Sequence, residues 1–191
     1  MRLDILDRGH RLRTKVLMAL IRLVSRQPVV DAVKLALYRR DFYGAGDLTH
    51  EAMRGPSTWS VGDRELMAAY VSKVNHSPFC VGAHTATAAG AYQDGDRVAA
   101  VLADLDSAPI DEGLRATLGM LGKLTSRGTL SPDDVRAVLS TGVSLQQIED
   151  ALAVSFAFNT TDRLANAFAF ELLSQEGFEA GAKYLLRRGY R

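Results

Sequence analysis

The sequence predicts an all-α fold, on three observations. Apolar residues recur at helical spacing along almost the whole chain, beginning with Leu12, Val16, Leu20, Leu23 and Val24. Helix-start chemistry recurs at Pro28, at Ser60 and at Ser77-Pro78. No stretch reads convincingly as a strand. Val98 to Leu102 is the nearest candidate, and helix formers flank it.

The elements follow in order. A first helix carries Leu12 to Val24, with Arg8, Arg11, Lys15, Arg22 and Arg26 between its apolar positions. A second opens at Pro28 and runs through Val33, Leu37 and Tyr38. Gly44, Gly46, Gly55 and Pro56 mark a loop region. Ser60 caps a helix from about Asp63 to Asn75, and a further helix follows Ser77-Pro78 and fades near Gln93 to Asp96. Helical patterns then cover 97–104, 110–127, 132–139, 145–158, 162–175 and 179–188. The last ends in basic residues, as a helix C-terminus favours. The expected organisation is an N-terminal helical extension over 1–54, packed on the core, and one domain over 55–191.

Composition narrows the function classes. The chain has 191 residues, 47% hydrophobic and 24% charged, which fits a single soluble globular domain. A net charge of +1 gives no field directed at nucleic acid. Asp133, Asp134, Glu149 and Asp150 also argue against reading 132–151 as a DNA-binding helix pair. One cysteine excludes an intrachain disulfide and fits a reducing compartment. No apolar run approaches the ~20 residues that span a bilayer. Charge follows Met1-Arg2-Leu3-Asp4, where a secretory signal would place an apolar segment. The expectation is a cytoplasmic protein with no nucleic-acid or membrane partner. Two readings fit the basic N-terminal helix, one lying on an anionic membrane surface and one packing its apolar stripe on the core or on another subunit, and the second is the expectation.

Chemistry concentrates in one stretch, Ser77 to His84. With Ser77 as N-cap and Pro78 at the first helical position, Cys80 lies in the first turn. There the free N–H groups and the helix dipole favour a thiolate. His84 is four residues on and faces the same way, placed to take the thiol proton or to hold the thiolate as an ion pair. Glu65 sits ten residues before Asn75. In an antiparallel hairpin it reaches about the depth of His84 and can orient the imidazole. His76, beside the turn, is either a solvent-exposed turn residue or a wall of the pocket. Asp162, Arg163 and Asn166 read as a capping and ion-pair cluster. Cys80, His84 and Glu65 supply no closed ligand set, so no metal and no cofactor is expected.

The run from Glu65 through Asn75, Ser77 and Pro78-Phe79-Cys80-Val81 to His84 resembles the alkylhydroperoxidase D-like motif of the carboxymuconolactone decarboxylase superfamily. A diffuse second stretch, from Leu130 through Gly142-Val143-Ser144 to Phe158-Asn159 and Arg163-Leu164-Ala165, resembles the superfamily's peroxidase-related branch. Together they cover about residues 55–170. The resemblance implies an all-helical fold that assembles as a trimer or hexamer. It also implies peroxide reduction by the thiol matching Cys80, with Glu65 and His84 as proton relay. Two residues depart from the pattern. Ser77 stands where a second cysteine resolves the sulfenic acid, so an external thiol or redox partner must do so here. Phe79 stands where some members carry a second relay histidine. The expected function is therefore a one-cysteine peroxide reductase. The alternatives are a lactone decarboxylase or isomerase using His84 and Glu65, and an oligomeric binding or scaffold protein whose site has lost catalysis.

Overall fold

The structure, a computed structural model, describes residues 4–40 and 46–190. Among these residues it contains eleven helices and no strand. They are α1 (Ile5–Arg8), α2 (Leu12–Ser25), α3 (Asp31–Tyr38), α4 (Gly46–Arg54), α5 (Val61–Val74), α6 (Pro78–Tyr92), α7 (Gly95–Ala103), α8 (Glu112–Arg127), α9 (Pro132–Leu139), α10 (Leu145–Ala167) and α11 (Gln175–Arg188). None of the described helices is long and apolar enough to cross a membrane.

A helical hairpin of α5 and α6 forms the centre. Ser60 starts it with a complete capping box: its hydroxyl accepts from Asp63 N–H, and the Asp63 carboxylate accepts from Ser60 N–H. The turn uses His76 in the left-handed region (φ 53°). Ser77 N–H then reaches back to Ser72 C=O at 3.0 Å, the long bond of a Schellman closure. Helices α8 and α10 pack on α5, and α11 packs on α6. The main core lies between α5, α8 and α10, where Leu66, Met67, Val71, Leu114, Leu118, Leu121, Val154 and Phe158 are buried. A second cluster joins Phe79 and Cys80 of α6 to Ala165 and Phe170, and α1 and α3 add Leu6 and Leu35 to it. Phe79 meets Phe170 edge-on, with ring centres 5.3 Å apart.

Three sequence expectations need correction. The loop assigned around Gly46 and Gly55 is in part helix α4, whose Met53 enters the main core; Gly44 lies outside the described residues. The break expected between Phe158 and Asp162 is absent, and α10 continues to Ala167. Asn159, Thr160 and Thr161, polar residues that often end helices, instead bond back to the carbonyls of Ser155, Phe156 and Ala157 and leave the helix unbroken. Pro28 does not open α3, which begins at Asp31 after Val30.

Helix α2 differs from the others in orientation. It buries no residue, and its inner side is only half-covered at Thr14, Met18 and Ile21.

Candidate functional site

Four helices and Tyr190, two residues beyond α11, meet around Glu65. From α5, Glu65 is fully buried, because its place on the helix faces α6 rather than solvent. His84, two turns into α6, is also buried, and its Nδ1 lies 2.8 Å from Glu65 Oε2. A carboxylate partner at this distance assigns the ring proton to Nδ1, so Nδ1–H donates to Glu65. Nε2 is then the basic nitrogen, and among the described residues it has no hydrogen-bond partner. Phe158 of α10 abuts the imidazole edge-on at 4.3 Å between ring centres and fixes its plane.

Arg54, the last residue of α4, donates from Nη2 to Glu65 Oε1 at 2.6 Å. The same guanidinium donates to Met53 C=O and Leu185 C=O, which ties α4 to α11. Tyr190 follows α11, and its hydroxyl lies 2.8 Å and 3.0 Å from the two Glu65 oxygens. Its ring stacks with His84, and the Arg54 guanidinium lies over that ring, 5.1 Å from its centre. Burial alone would raise the Glu65 pKa. The His84 bond and charge, then Arg54, outweigh it and hold the carboxyl below its ordinary value. Tyr190 is pushed well above the usual phenol range, by burial first and by the Glu65 charge second.

Cys80 stands apart from this group. It is 2% exposed and belongs to the second cluster, walled by apolar side chains. Its polar neighbours are Asp162 and Ser77 rather than His84. Asp162 is fully buried and accepts from Ser72 Oγ at 2.8 Å and Asn75 Nδ2 at 2.9 Å. Burial raises the Asp162 pKa despite these donors. Burial and the Asp162 charge also push the Cys80 thiol far up, and Ser77 opposes them only in part. The thiolate expected from the first-turn position is therefore not the resting form. Desolvation outweighs the helix N-terminus here.

The other predicted residues are placed as follows. Ser77 holds the N-cap position of α6, but its hydroxyl does not make the expected capping bond. Its Oγ is buried beside the sulfur without a hydrogen bond of ordinary geometry. His76 is exposed, with its backbone in the left-handed region at the α5–α6 turn. Among the described residues, no three His, Cys, Asp or Glu side chains are grouped to hold a metal ion.

Two contributors, Arg54 and Tyr190, were missed by the sequence reading, and Asp162, read there as part of a capping and ion-pair cluster, lies buried inside α10 instead. Arg54 and Tyr190 lie far along the chain from the motif, and nothing local marks them. Asp162 had a usable signal. It follows Ser155 and Phe158 at helical spacing on a buried face of α10, where an acid needs a partner.

Comparison with known proteins places the fold. Residues 41–121 match the model of the carboxymuconolactone decarboxylase family. The chain superposes on an uncharacterized peroxidase-related protein from Silicibacter sp. TM1040 with a TM-score of 0.77. Identity is 23%, over 93% of this chain and 94% of that one. It also superposes on a protein from Ralstonia eutropha JMP134 described as an alkylhydroperoxidase AhpD core and as an uncharacterized peroxidase-related protein. There the TM-score is 0.73 and the identity 20%, over 91% and 92% of the two chains. No curated protein matches the chain significantly in sequence.

Proposed function

We propose that this chain, a member of the carboxymuconolactone decarboxylase superfamily through residues 41–121, is a thiol-dependent peroxide reductase that works with one cysteine. The observation that carries the reading is the placement of the only thiol. It is buried one helical turn from a histidine–carboxylate pair whose second ring nitrogen has no hydrogen-bond partner among the described residues.

The chemistry divides between two groups. Asp162, hydrogen-bonded to Cys80 and with a raised pKa, accepts the Cys80 proton. The thiolate sulfur attacks the terminal oxygen of an organic hydroperoxide and the O–O bond breaks. The alkoxide leaves as it takes up the proton the thiol gave to Asp162, relayed through His84 Nε2, and Cys80 becomes a sulfenic acid. Glu65 orients the imidazole through its bond to Nδ1. Ser77 has no sulfur, so a first equivalent of external thiol displaces water to give a mixed disulfide. A second equivalent releases Cys80 and leaves as the oxidised disulfide.

Sulfenate trapping with one equivalent of cumene hydroperoxide and dimedone tests the reading. Trapped adduct at Cys80, slowed in His84→Ala and absent in Cys80→Ser, is expected. Full peroxidase activity in Cys80→Ser would overturn it.

One observation favours a second reading. The thiol is held protonated while Glu65 and His84 are closely paired, an arrangement suited to moving protons on a lactone or enol without redox chemistry. In that case alkylation of Cys80 leaves turnover intact and His84→Ala abolishes it.

A further inference from the structure

We infer that helix α2 seats this protein on an anionic lipid surface. A surface helix normally turns its apolar stripe inward and its charges outward. In α2 the apolar stripe points outward. At 100° per residue, Leu12, Leu23, Val16, Leu20, Val24 and Leu17 fill an arc of about 140°, and all six are 44% to 84% exposed. The opposite side, Thr14, Met18 and Ile21, is the one half-covered by the protein. The helix therefore presents its greasy face outward.

Charge selects the occupant of that face. Residues 8–26 contain Arg8, Arg11, Arg13, Lys15, Arg22 and Arg26, and none of the chain's 22 acidic residues. A second copy docking α2 against α2 would set cation against cation with no counter-charge inside the contact. A bilayer rich in anionic lipid offers both things the helix lacks: hydrocarbon for the six apolar side chains, and negative headgroups for the cations that flank and intersperse them. Helix α2 has fourteen residues, long enough to lie in the headgroup region and too short to cross it.

Co-sedimentation of the full chain with vesicles tests the inference independently of the thiol chemistry. Vesicles of 70:30 phosphatidylcholine and phosphatidylserine are compared with phosphatidylcholine alone, at 50 mM and 500 mM NaCl. Partitioning at least ten-fold stronger to the anionic vesicles, and at least ten-fold weaker at high salt, is expected. The L20E/L23E variant, altered only at exposed positions, should lose partitioning with an unchanged melting curve. R13Q/R22Q should weaken it while keeping the apolar face. Absent partitioning, or equal partitioning to both vesicle types, overturns the inference. So does a dimer that L20E/L23E dissociates and that binds neither vesicle, because a second copy then covers the face.

Discussion

Asp162, not His84, is the titratable group set against the Cys80 thiol. Two carboxylates thus divide the site. Glu65 holds the imidazole and is itself held by Arg54 and Tyr190, whereas Asp162 faces the sulfur with only neutral donors around it. The thiol and the base most expected to serve it have separate partners.

Removing the Asp162 charge should release the thiol. In Asp162→Asn the thiolate no longer faces a carboxylate, so the Cys80 pKa falls and alkylation by iodoacetamide at pH 8 accelerates by about ten-fold, the equivalent of about one pKa unit. The pH dependence of the alkylation rate measures it. A slower rate in the variant would mean that the loss of Asp162 as proton acceptor outweighs the relief of its charge on the sulfur.

Acid should weaken the fold through Glu65. Its folded pKa lies below the unfolded value of ~4.3. Its stabilising contribution is therefore present above that value and lost as pH falls through the folded pKa. Asp162 has the opposite sign, because its raised pKa makes the protonated form the one the fold prefers. Glu65→Gln should flatten the acid limb of the stability curve. At neutral pH it should cost about 3–5 kcal/mol, since Arg54 loses its buried partner. Urea titrations between pH 3 and 7 give both quantities.

Tyr190→Phe keeps the ring over His84 and deletes the hydroxyl from Glu65. A hydrogen bond to a charged group contributes about 1.5–3 kcal/mol, so the thermal midpoint should fall by several degrees with the helical signal unchanged. Differential scanning calorimetry reads the shift.

Gly82 of α6 lies directly under Phe178 of α11. A β-carbon there would meet the Phe178 ring at 2.6 Å, and that ring already packs on Phe79. Gly82→Ala should cost about 1–3 kcal/mol through forced repacking. Cys80 should become more reactive to thiol reagents as α11 is displaced, which a Cys80 labelling rate detects.

What the sequence made legible was local. The Ser60 box, the Ser77-Pro78 start and the 3.6-residue period describe interactions within a few residues. The α5–α6 hairpin, with its three-residue turn, follows from them. The meeting of Glu65 and His84 is a consequence of that hairpin, so equal depth along two helices was enough to pair them. The contacts that complete the site cross long stretches of chain. Arg54 arrives on a short helix bracketed by glycines that reads as a loop, and Tyr190 arrives from beyond α11. Asp162 was hidden because the polar run from Asn159 looks like a helix end until its side chains are seen bonding back to their own helix. Periodicity located the apolar stripe of α2, but it carries no information on whether such a stripe faces protein or solvent.

The bond between Glu65 and Tyr190 joins residues 125 positions apart. At about 5–20 residues per second of synthesis, roughly 6–25 seconds separate their appearance on the ribosome. The α5–α6 hairpin can fold in that interval, but its buried carboxylate must wait with Arg54 and His84 for company. The last step in assembling the pocket is therefore timed by translation, and a ribosome stalled before Tyr190 would carry a folded hairpin with an unsealed acid.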